Sequence, residues 1–167
     1  MRRLAFIFAA LAALAGPAAT LAVIQATGDG SLVVRNGAAP DGVPVVAMTI
    51  TGSVIGRVTD FGKIIIDPGL NTEAVPQVVG AGKPLDVTSS DTAQKWVGSD
   101  FTFRAVGGKF TILVYGSHVN LVAAGTGKVR LAGMPDMLTG DGKYSLNDSD
   151  FRSLPSTQTR LLIGTSG

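Results

Sequence analysis

Phe101-Thr102-Phe103-Arg104-Ala105-Val106-Gly107-Gly108-Lys109-Phe110-Thr111-Ile112-Leu113-Val114-Tyr115-Gly116-Ser117-His118-Val119-Asn120-Leu121-Val122-Ala123 is the stretch whose reading decides the fold. Apolar and polar side chains alternate along it, the period of a half-buried strand, and glycine pairs interrupt the alternation. Gly107-Gly108 and Gly116-Ser117 read as two-residue hairpin loops, since Gly in the first loop position suits a type II′ turn. Gly125-Thr126-Gly127 reads as a three-residue loop. These turns set a register in which Phe103 faces Ile112, Leu113 faces Asn120, Val114 faces Val119 and Leu121 faces Leu131.

The three registers agree on the faces. Phe101, Phe103, Ala105, Phe110, Ile112, Val114, Val119, Leu121, Ala123, Val129 and Leu131 share one side. Thr102, Arg104, Lys109, Thr111, His118, Asn120 and Arg130 share the other, with Val106, Leu113 and Val122 among them. A sheet with one apolar face buries that face.

The same pattern stands earlier in the chain. Ile50-Thr51-Gly52-Ser53-Val54-Ile55 is echoed by Val114-Tyr115-Gly116-Ser117-His118-Val119, and Gly62-Lys63-Ile64-Ile65-Ile66 by Gly127-Lys128-Val129-Arg130-Leu131. Leu32-Val33-Val34-Arg35 precedes the first copy as Phe101-Thr102-Phe103-Arg104 precedes the second. A repeated unit of about four strands follows, over 31–67 and 100–133. Arg57 breaks the match, because it falls where Leu121 stands.

The predicted fold is all-β: two similar four-stranded antiparallel meanders packed as a sandwich about a pseudo-twofold axis, with a C-terminal hairpin over 143–163. The linker 68–99 holds two short edge segments, Val75–Val79 and Pro84–Thr88, because Pro76 and Pro84 cannot donate to a ladder. Ser90-Asp91 reads as the cap of one helical turn running to Trp96. Strands of about six residues and missing aromatic girdles argue against a membrane-spanning barrel, whose strands need about nine to eleven.

Met1-Arg2-Arg3, the apolar Leu4 to Leu14 and the Gly16-Pro17 break read as a secretory signal over 1–22, with Thr20-Leu21-Ala22 as the cleavage site. Export leaves a single domain over 27–167, in the periplasm, the cell envelope or outside the cell. The rival reading keeps the segment as a membrane anchor, since Leu4 to Ile24 carries no charge. Cleavage removes Arg2 and Arg3 from the 14 basic residues and leaves 12 against 12 acidic ones. Scattered bases on a neutral domain argue against a nucleic-acid partner. The absence of Cys excludes disulfides, thiol catalysis and thiolate metal sites.

Few residues announce chemistry. Gly125-Thr126-Gly127-Lys128 resembles the end of a phosphate loop, but Val122 and Val129 stand where that loop needs Gly and Ser or Thr. Thr92-Ala93-Gln94-Lys95 lacks the nucleophile and companion motifs of a Ser-x-x-Lys enzyme. His118, the lone His, reads as a turn-flanking residue beside Tyr115. Asp141, Asn147, Asp148 and Asp150 form oxygen-rich loops that are a weak Ca²⁺ candidate, with Asx-turn chemistry as the simpler account. No cofactor is expected. Ala38, Asp41 and Trp96 are the binding candidates: the first two lie in a loop insertion over Ala38 to Gly42, and Trp96 either packs against the linker or is a stacking platform for a sugar.

The expectation is an exported, non-enzymatic binding or structural module whose partner is an envelope polymer or envelope protein. Membrane contact, on this reading, comes only through an uncleaved N-terminus. The alternatives are a membrane-anchored accessory subunit and a glycan-acting enzyme using paired carboxylates such as Asp60, Asp136 and Asp141.

Overall fold

The computed structural model describes residues 29–70, 74–81, 85–134 and 141–164. The signal-peptide segment and Asp136 lie outside them. The described chain is all strand and turn. Nine strands run in order: β1 (Gly30–Asn36), β2 (Val46–Asp67), β3 (Gln77–Gly80), β4 (Asp86–Ser90), β5 (Ala93–Gly116), β6 (Val119–Leu131), β7 (Lys143–Leu146), β8 (Arg152–Ser153) and β9 (Thr159–Ile163). All belong to one antiparallel sheet with the order β3-β5-β2-β6-β1-β7-β8, β4 pairing with β5 and β9 with β6.

The three expected hairpins are absent. β5 runs straight through Gly107-Gly108 as a 24-residue strand, and β6 through Gly125-Thr126-Gly127. β5 and β6 are not neighbours, because β2 lies between them. Asn120 faces Arg57, and Leu113 faces Ala47. The physical reason is that Gly at positive φ serves a sharp bend in a strand as readily as a turn. Gly52, Gly107, Gly116 and Gly125 all carry positive φ, and each marks such a bend.

These bends let the ladder coil. β2 pairs with β5 from Val46↔Val114 to Ile66↔Gln94. The end of β2 then returns to the far edge of β5, so that Thr111 is paired with Thr49 on one side and Asp67 on the other. The sheet thus wraps around a single core. Gly52 faces Gly125, and Gly62 faces Gly116, where the strands press together. A Cβ on Gly52 would run into the Ala124 carbonyl, and one on Gly125 into that of Thr51.

The predicted faces hold although the turns do not. All eleven residues assigned to the apolar side, from Phe101 to Leu131, are buried. Period-2 alternation survives a bend as well as a hairpin. Along β2 after Gly52 the inward set is Val54, Gly56 and Val58, so Ile55 and Arg57 point outward. One residue separates Gly52 from Val54, whereas Ser117 and His118 both separate Gly116 from Val119. That extra residue is the slip signalled by Arg57.

The edge segments β3 and β4 and the hairpin β7–β8 stand close to their expected places. The helical turn at Ser90-Asp91 is instead a tight turn: Ser90 pairs with Ala93, and Asp91 has φ 41°. The short-strand argument against a membrane barrel also falls, since β2 and β5 have 22 and 24 residues. Inward side chains are apolar, and the outward ones are mixed: Thr, Lys and Arg with Ile55, Ile65, Leu113 and Val122 among them.

Candidate functional site

Directly opposed residues of an antiparallel pair point to the same side, so the registers place the outward side chains in rows. One row crosses seven strand segments: Arg160 (β9), Arg130 (β6), Ala47 (β2), Leu113 (β5), Ile65 (β2 again), Lys95 (β5 again) and Thr88 (β4). The next row holds Leu162, Lys128, Thr49, Thr111 and Asp67. The third holds Thr126, Thr51 and Lys109. The face is therefore rich in cations and hydroxyls, with a half-buried apolar strip of Ala47, Leu113 and Ile65 at its centre.

Every Lys and Arg among the described residues lies in a strand. The acids stand at strand ends, bends and turns: Asp41, Asp91, Asp148 and Asp150 in turns and loops, Asp100 at a bulge with φ 50°. Two ion pairs occur among the described residues. Arg57 Nη2 meets Asp100 Oδ1 at 2.6 Å, and His118 Nδ1 lies 2.7 Å from Asp60 Oδ2. Neither involves Lys95, Lys109, Lys128, Arg130 or Arg160.

The third row leads into a cleft of about 640 Å³, a size common among ligand sites. Thr51, Thr111 and Phe110 line it beside Gly107-Gly108 and Lys109, and Asp67 to Leu70 with Ala74 form its other wall. Asp67 Oδ1 accepts a hydrogen bond from Gly69 N at 2.8 Å, so this carboxylate holds its own turn.

The expected site residues are dispersed. In the insertion, Asp41 and Gly42 are exposed, Ala38 forms a bridge with Met134, and Ala39 N donates to Ser117 Oγ at 3.4 Å. The loop's base is thus tied to the β5–β6 bend, and its tip is open. Trp96 is a core residue, 7 % exposed, in β5 between Ile64 and Val87. It presents no open ring to a sugar.

The oxygen-rich loops act as staples. Asn147 N donates to Ser31 O at 2.7 Å, Asn147 Nδ2 to Leu162 O at 3.3 Å, and Asn147 Oδ1 accepts from Gly164 N at 3.0 Å. Asp148 Oδ1 accepts from Ser31 Oγ at 2.7 Å. One turn therefore ties β7 to the start of β1 and the end of β9. Asn147 and Asp148 hold φ of 50° and 59°, a conformation these side chains tolerate. Among the described residues no group of three or more His, Cys, Asp or Glu is arranged to hold a metal ion.

His118 occupies the bend between β5 and β6 with φ 49°. Its N–H donates to Gly37 O at 2.8 Å and its carbonyl accepts from Thr59 N. Of the paired-acid candidates, Asp60 is engaged with His118, and Asp141 lies beside Gly142 ahead of β7. Among the described residues lining the cleft, Asp67 is the acidic one and Lys109 the basic one. Sequence reasoning missed the basic face because Lys95, Lys109, Lys128, Arg130 and Arg160 are scattered until the register is known. The signal was Lys and Arg confined to alternate strand positions.

Comparison with protein-family models, curated proteins and solved structures finds no match.

Proposed function

We propose that the protein is an exported, non-enzymatic binding module of the cell envelope or extracellular space. The observation that carries this reading is the three-row face of cations and hydroxyls between β9 and β4, laid on a rigid strand scaffold and continued by the cleft at Lys109. Binding surfaces need side chains that are positioned but uncommitted. The five cations of this face fit that description, whereas Asp60, Asp67, Asp100 and Asp148 are used in staples and ion pairs.

The reading includes the internal duplication in a wider form. A shift of about 65 residues relates the pairing of Val46–Val58 with β6 to that of Gly62–Asp67 with Thr111–Gly116. The same shift carries β3 onto β7, β4 onto β8 and the start of β5 onto β9. It also relates the glycine contacts Gly52↔Gly125 and Gly62↔Gly116. On this account each half is a unit of four strand segments followed by three short ones, the 68–99 linker matches the C-terminal segment, and the sandwich-like layers are opposite walls of one coiled sheet about a pseudo-twofold axis.

The test is retention of the full-length protein, purified from its host, by membranes, peptidoglycan and secreted polysaccharide. Saturable binding to one fraction is expected, with the intact mass reduced by about 22 residues if the signal is cleaved. No retention by any fraction contradicts the binding reading. An unreduced mass supports the anchored-subunit alternative.

A further inference from the structure

We propose that this face binds a linear acidic polysaccharide, with its carboxylates seated at the Arg130–Arg160 pair. The inference rests on the binding-module reading and deepens it. Arg130 of β6 stands directly opposite Arg160 of β9. Like charges in that position repel, and a fold shaped only for stability would avoid them. Lys128 lies two residues along β6 on the same side, so three cations meet within two rows. No carboxylate shares the row of the two arginines. The next row's only acid, Asp67, stands at its far end and is held by Gly69 N. An anion bridging the guanidinium groups removes the repulsion, and Arg presents a planar fork matched to a carboxylate.

The rest of the face narrows the ligand. Thr49, Thr51, Thr111 and Thr126 offer hydroxyls that donate to and accept from sugar hydroxyls. The Ala47–Leu113–Ile65 strip suits the apolar C–H side of a pyranose ring. Strand spacing places neighbouring rows about 7 Å apart and neighbouring columns about 5 Å apart, a grid suited to an extended polymer. Single-stranded nucleic acid would require aromatic platforms for its bases, and these rows carry none. A membrane surface would require several protruding apolar anchors, and Leu162 is the single large apolar side chain standing out from the three rows.

The test uses the full-length protein with four probes: polygalacturonate, neutral dextran, vesicles containing phosphatidylglycerol, and oligo(dT). Polygalacturonate is expected to bind, dextran not, with affinity falling as salt rises. Arg160→Glu converts the repulsive pair into an attractive one, so the melting temperature should hold or rise while polygalacturonate affinity drops at least tenfold. Arg104→Glu, outward on the row of Ile55 and Gln77, is the charge control and should retain binding. Wild-type affinity in Arg160→Glu, or binding to vesicles or oligo(dT) in place of polygalacturonate, overturns the proposal. Retention by an envelope fraction without polygalacturonate binding overturns this ligand assignment alone. Loss of both removes the binding-module reading as well.

Discussion

At the scale of single residues, the glycines at strand contacts and one asparagine carry the most weight. Gly52 and Gly125 combine φ of 149° and 143° with no room for a Cβ. Gly52→Ala and Gly125→Ala are each expected to cost more than about 3 kcal/mol, combining backbone strain with a clash against backbone atoms. A urea midpoint close to wild type in either variant would contradict the tight crossing. Gly107, with φ 73° but open space around it, should lose only about 1–2 kcal/mol on mutation to Ala. Asn147→Gly keeps the backbone conformation and deletes the bonds to Leu162 and Gly164, so a loss of about 1–3 kcal/mol is expected. Amide exchange should show that loss concentrated in β9. Trp96 requires no mutation: its burial predicts blue-shifted emission resistant to iodide quenching.

At the scale of elements, the sequence could be read for faces but not for neighbours. The apolar side of Phe101 to Leu131 was legible because side-chain direction depends only on alternation along the strand. Which strand lies beside which was not, because Gly116-Ser117 looks the same in a hairpin loop and in a bend. The difference is decided by what fills the space between β5 and β6, and β2 fills it through Met48, Ile50, Val54 and Val58. Arg57 was the one residue to register the conflict. It turns outward to Asp100, an exposed pair whose loss in Asp100→Gly should change stability by no more than about 1 kcal/mol. Among the site candidates, the Asx character of Asn147 and Asp148 was legible from their loop. The basic face was not, since its cations stand on β5, β6 and β9 and only the strand pairing brings them to one side. β9 covers the edge of β6, and Ile163 is buried beneath it. Removing 159–167 should expose Gly127–Leu131 as a free edge and produce association visible by light scattering.

At the scale of the whole molecule, the coiled sheet makes the two proposed halves interdependent. β5 supplies strand segments to both, so 29–98 and 99–167 expressed separately should each lack stable strand signal in circular dichroism. Mixing them should restore it. Every functional statement depends on the same pairing, because Arg130 reaches the row of Leu113 and Lys95 only if β2 stands between β6 and β5. The absence of native Cys allows this to be tested by cross-linking. Paired Cα atoms of an antiparallel ladder stand within disulfide range. Arg57→Cys with Asn120→Cys should oxidise to a disulfide in the folded protein, while Leu113→Cys with Asn120→Cys, the hairpin register, should not. Efficient cross-linking of 113 to 120 without that of 57 to 120 would contradict the coiled sheet and the face built on it.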